Sequence, residues 1–120
     1  MTIRVLVVDD YPMNRELIRR CLPESEFSVT EAKDGVEALQ FLSQQSFDAV
    51  LLDVMMPGMD GIEVCRHLRE DLGNLELPIF LITALDPDES INEVLGENTG
   101  YIRKPFNKVK LQEQIRSAVS

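Results

Sequence analysis

Tryptophan is absent, histidine occurs once, and the two cysteines, Cys21 and Cys65, stand too far apart for a C-x-x-C pair. So few soft and imidazole ligands leave no set for a zinc or copper centre. His67 is read as a solvated helix residue, and each cysteine, on the apolar side of a predicted helix, as a small buried hydrophobe in a reducing compartment. No apolar run approaches the roughly 18 residues that a membrane span needs. No low-complexity tract, linker or repeat of 20 to 50 residues interrupts the chain. Basic residues are in deficit, 12 Lys and Arg against 21 Asp and Glu, a net charge of -9 with no compensating basic patch. Such a surface repels nucleic-acid backbones, so no direct nucleic-acid or membrane partner is expected. The opening MTIRVLVVDD enters a strand without the basic, apolar and small-residue order of a secretory leader, so the expected location is cytoplasmic.

What is present reads as one α/β domain over residues 1–120. Continuous apolar runs at Val5–Val8, Phe27–Ala32, Ala49–Leu52 and Ile79–Ile82, with a short fifth at Tyr101–Ile102, predict five strands. Helical spacing falls between them: Met13, Leu17, Ile18 and Cys21; Val36, Leu39 and Leu42; Ile62, Cys65, Leu68 and Leu72; Ile91, Val94 and Leu95. A last set, Val109, Ile115 and Val119, follows Asn107, a predicted N-cap. Strands that are apolar throughout are buried on both faces, which predicts a doubly wound parallel sheet flanked by five helices; the order expected for it is the flavodoxin-like 2-1-3-4-5.

In that topology ligands bind beyond the carboxyl ends of the strands, where the strand order reverses. The residues leaving those ends are Asp9 and Asp10, Asp53, Thr83 and Lys104. Taken singly, Asp9 and Asp10 could cap the first helix, Thr83 could cap the loop after strand four, and Lys104 could be a solvated charge. Together they place three acids in one pocket, where two unit charges 4 Å apart cost about 4 kcal/mol at an effective dielectric of 20. A hard divalent cation with oxygen ligands relieves this, which predicts Mg²⁺, or Mn²⁺ in its place. A carboxylate beside that ion, with an ammonium and a hydroxyl opposite, suits phosphoryl transfer onto Asp53.

VLVVDD, LLDVMMPGMDG, ITA and GYIRKPF, in this order and spacing, resemble the receiver domain of bacterial two-component response regulators, the chemotaxis-regulator fold. The resemblance implies that Asp53 accepts a phosphoryl group from a histidine kinase or a histidine phosphotransfer protein. It implies metal ligation by Asp10 directly, Asp9 through water, Asp53 and the main-chain carbonyl of Met55. Thr83 and Lys104 match the residues that grip phosphoryl oxygens, Tyr101 the switch aromatic that follows Thr83, and Lys104–Pro105 a cis peptide. The domain would catalyse only its own phosphorylation and dephosphorylation. Its output would pass through the face of helix four, strand five and helix five to an effector domain or protein, or to a second copy as a homodimer. Receivers of this kind are free-standing or joined to hybrid kinases and diguanylate cyclases. Where the family commonly has Gly-Ala before the switch aromatic, this chain reads LGENTGY, and Pro87 interrupts the segment before it, so helix four is expected to be short or shifted. Met55 and Leu85, two positions after Asp53 and Thr83, are expected to slow attack by water.

Two rivals share the chemistry or the fold: a Mg²⁺-dependent phosphatase with an aspartyl nucleophile, and a flavodoxin-like FMN carrier. The first wants a second acid where this chain has Met55, and the second a phosphate-binding loop where it has Asp9-Asp10.

Overall fold

The computed structural model describes residues 2–119. The apolar runs become β1 (Ile3–Val8), β2 (Phe27–Ala32), β3 (Ala49–Asp53), β4 (Ile79–Thr83) and β5 (Thr99–Arg103). All neighbouring pairs are parallel, in the order β2-β1-β3-β4-β5. This is the doubly wound sheet that the strand pattern predicts.

Alternation splits each run between two cores. Leu6, Val8, Val50, Leu52 and Leu81 point to one face, where α2 (Gly35–Gln44), α3 (Gly61–Arg66) and α4 (Glu89–Val94) supply Ala38, Ile62, Cys65 and Ile91. Val5, Val7, Ala49, Leu51 and Ile82 point to the other, against Ile18 of α1 (Pro12–Cys21) and Leu111 and Ile115 of α5 (Lys108–Val119). Each fully buried aliphatic side chain contributes about 1.5–3 kcal/mol, so the two layers fix the register of every strand.

Helix starts follow local chemistry. Asp34, Asp60 and Asp88 accept the amides of Glu37, Glu63 and Ile91, and Asn107 accepts those of Val109 and Lys110. Five positions taken from helical spacing lie outside the core: Met13, Leu17, Val36, Leu72 and Val109 are all exposed. In α1 the inward stripe runs through Ile18 to Leu22, and in α5 through Leu111 and Ile115, so spacing alone set the helix faces slightly out of rotation. After α3 the chain widens into a π-helical turn, His67–Asp71, which turns Leu72 to solvent. Cys65 is buried and burial pushes its thiol up, whereas Cys21 is only half-buried. His67 is partly exposed and pairs with Asp71. No helix among the described residues is long and apolar enough to cross a membrane.

Candidate functional site

Register brings the strand-end residues together. Val8 pairs with Leu52, which sets Asp9 level with Asp53; Asp53 pairs with Ile82 and Thr83 with Arg103, so Thr83 and Lys104 emerge beside them. Carboxylate oxygens of Asp9, Asp10 and Asp53 all lie within 4.8 Å of one another. Asp9 and Asp53 are buried, and Asp10 is exposed at the mouth. Lys104 Nζ lies 3.7 Å from Asp53 Oδ1 and 4.0 Å from Asp9 Oδ2. The Lys104–Pro105 peptide, which follows directly, is cis.

Burial, and next the charge of Asp9, raise the pKa of the Asp53 carboxyl to about 6, against the pull of Lys104 and a backbone hydrogen bond from Met55. Three acids and one ammonium leave the pocket short of positive charge, and its donor set is all hard oxygen, which fits Mg²⁺ with retained waters. Asp9 Oδ1 accepts the Tyr11 amide at 2.9 Å, and Thr83 Oγ1 accepts the Leu85 amide at 3.1 Å. Asp9 thus holds the turn ahead of α1 and does not cap the helix, whose N-cap is Tyr11 with no side-chain cap bond, whereas Thr83 does cap the loop after β4. Because the Thr83 hydroxyl accepts there, its own proton is available to a group in the pocket. Tyr101 is half-buried against the core on the α3–α4 side, and Met55 and Leu85 are exposed at the rim.

Three residues that sequence reasoning passed over support the pocket. A β-carbon on Gly61 would overlap the main-chain carbonyl of Asp53 and come within 3.0 Å of Val54 Cα, so glycine lets α3 start directly beneath the acid. Arg15 donates to the Asp9 carbonyl at 2.7 Å and to Glu31 at 3.1 Å. Gly61 follows Asp60, a helix-starting acid, and Glu31 pairs in register with Val7 two residues before Asp9; these were the available signals.

Residues 5–116 match the profile of the response regulator receiver domain. This chain belongs to that family. The receiver is similar to response regulator MprA of Mycobacterium sp. strain KMS, with 46% identity over 121 residues that cover 98% of this chain and 50% of the relative. It thus spans about half the length of the curated relatives it matches. Among solved structures it is similar to response regulator TrrA of Thermotoga maritima in complex with Mg²⁺-BeF, at TM-score 0.83 and 33% identity, covering 98% of this chain and 99% of that one. It is also similar to the receiver domain of the sensor histidine kinase PA1611 of Pseudomonas aeruginosa, with magnesium in its active-site cleft, at TM-score 0.86 and 28% identity over 99% and 98% of the two chains. Neither the phosphatase nor the FMN-carrier reading finds support: β1 runs into two acids, and the residue two beyond Asp53 is an exposed methionine. The receiver is a phosphoacceptor switch domain of two-component signalling.

Proposed function

We propose that Asp53 is the phosphoacceptor and takes its phosphoryl group from the phosphohistidine of a histidine kinase or of a histidine phosphotransfer protein. The observation that carries this is the meeting of Asp53 with Asp9, Asp10 and the Lys104 ammonium at one sheet edge. Asp9, Asp10 and Asp53, with the main-chain carbonyl of Met55, would hold Mg²⁺, or Mn²⁺ in its place; the magnesium in the two solved relatives supports this reading. Bound there, the ion would neutralise charge on the transferring oxygens and keep Asp53 ionised.

An Asp53 carboxylate oxygen attacks phosphorus, the O–P bond forms, and the P–N bond to the donor imidazole breaks with its electron pair returning to nitrogen. Lys104 balances negative charge as it builds on the phosphoryl oxygens. Thr83 donates its free hydroxyl proton to one of those oxygens and is drawn toward Asp53. That motion pulls on the Leu85 amide it now accepts, shifts the chain before α4, and opens space toward which Tyr101 turns. The changed face of α4, β5 and α5 is then read by an effector domain or protein, or by a second copy. Catalysis is confined to the domain's own phosphorylation and the later hydrolysis of its aspartyl phosphate.

The test is incubation with acetyl phosphate, with and without Mg²⁺, followed by intact mass. Wild type gains about 80 Da, one phosphoryl group, only with Mg²⁺, and Asp53→Asn gains nothing. An adduct on Asp53→Asn, or none on wild type, overturns the assignment.

A further inference from the structure

We propose that Arg15 is a positioning residue for the acid pair, fixing the Asp9–Asp10 peptide and thereby the carboxylates that hold the cation. This rests on the reading that the acid trio binds a divalent ion. At the end of β1 the amide of Asp9 still reaches β2, at Ala32 O (3.1 Å), and its Oδ1 is held by the Tyr11 amide. The Asp9 carbonyl receives Arg15 Nη1 from α1 at 2.7 Å. That carbonyl and the amide of Asp10 belong to one rigid peptide plane, so the grip on the oxygen also sets where Asp10 leaves the turn.

The guanidinium is itself held. Its Nε donates to Glu31 Oε1 at 3.1 Å, and Glu31 Oε2 accepts Arg19 Nε at 2.7 Å. Arg15 is the inner member of this trio, its side chain 16% exposed against 42% for Arg19. Glu31 offsets the charge of Arg15, so the arginine acts on the acid pair through direction more than by competing with a cation. The planar fork serves a carbonyl and a carboxylate in fixed directions, whereas an ammonium on a flexible stem would hold both less firmly.

The experiment is calorimetric titration of the full chain with Mg²⁺ alone, alongside the Mg²⁺ dependence of phosphorylation by acetyl phosphate. Arg15→Met weakens Mg²⁺ about tenfold, the lower end of what outer partners of metal ligands contribute, while the rate at saturating Mg²⁺ stays near wild type. Arg15→Lys falls between. Arg19→Met, which removes the outer partner of Glu31, binds like wild type, and a merely structural role would lower the melting temperature without this separation. Unchanged Mg²⁺ affinity in Arg15→Met, or an equal loss in Arg19→Met, overturns the proposal; if Arg15→Met does not fold, unchanged affinity in Arg15→Lys does so. Failure of wild type to bind Mg²⁺ would instead defeat the reading of the acid trio.

Discussion

On one flank of Asp53, the β1–α1 turn is anchored at Asp9, whose amide, carbonyl and Oδ1 each have a partner on β2, α1 or the turn itself. On the other flank, residues 84 to 86 are exposed, and α4 is six residues long with Ile91 as its one fully buried side chain. That segment is tied by exposed ion pairs, Arg103–Asp86 and Arg66–Glu93. Few buried contacts make a segment cheap to open, whereas a turn anchored by several hydrogen bonds resists opening. On the proposed function, the flank with converging acids holds charge in place and the flank behind Thr83 is the one that moves. The short α4 follows from Pro87 and the scarcity of apolar residues after it.

The largest expected effect tests the fixed side. Gly61→Ala would push a β-carbon into the Asp53 carbonyl, and backbone on both sides leaves no flexible group to yield. It should cost about 3 kcal/mol in urea unfolding and slow phosphorylation. Gly96, on the other flank, has open space where a β-carbon would sit, with nothing within 4 Å, so Gly96→Ala should stay within about 0.5 kcal/mol of wild type. Equal losses would erase the distinction.

Next in size is a cost of placing charge. With its folded pKa near 6 and the ordinary value 3.8, Asp53 keeps a proton in the folded state that the unfolded chain has released. Stability of the metal-free protein therefore falls as pH rises through this window and stays lower above it, by up to about 3 kcal/mol. Asp53→Asn should remove that fall and stabilise the metal-free protein at neutral pH by about 2 kcal/mol, measured by urea unfolding in chelator at pH 4, 5 and 7.5. A variant that tracks wild type across the series would show that the pocket does not penalise the carboxylate.

Much of this contrast was legible in the sequence. The strand runs carried the parallel, doubly wound sheet, because they are apolar on both faces, while its order was taken from the five-stranded form of that fold; the acids, Thr83 and Lys104 were recognisable because each sits where a strand ends. Helix rotation was less legible: of the spaced sets Ile18 and Ile115 do turn inward, but Met13, Leu17 and Val109 are exposed, and Leu111, outside the expected set, is buried. Spacing defines a stripe, but which stripe is buried depends on tertiary packing. Arg15 and Glu31 were not found because their meeting requires α1 to lie over β2, and Gly61 because its role depends on a carbonyl eight residues earlier in chain order.

A smaller, kinetic effect concerns the rim where the two flanks meet. Met55 and Leu85 are 65% and 58% exposed beside the pocket, apolar groups that neither orient water nor accept its proton. Met55→Asn with Leu85→Glu supplies polar groups at both positions and should speed loss of the aspartyl phosphate about tenfold, less than the roughly hundredfold or more of a fully positioned acid or base, because both groups sit on exposed, unconstrained side chains. Decay of labelled phosphoprotein gives the rate, and slower decay in the double variant would contradict the shielding role.

The smallest effect is the most direct comparison. Arg66 and Glu93 tether α4 with side chains 44% and 59% exposed, whereas Arg15 and Glu31 are 16% and 31% exposed. Solvent screens the outer pair and side-chain entropy opposes it, so a double-mutant cycle should give coupling below about 0.5 kcal/mol, against about 1 kcal/mol for Arg15–Glu31. Breaking the outer pair should also raise amide exchange in α4 while leaving α1 unchanged, since only local opening is affected. Coupling at Arg66–Glu93 equal to that at Arg15–Glu31 would mean that α4 is held as firmly as the acid turn, and the division between a holding flank and a moving one would fail.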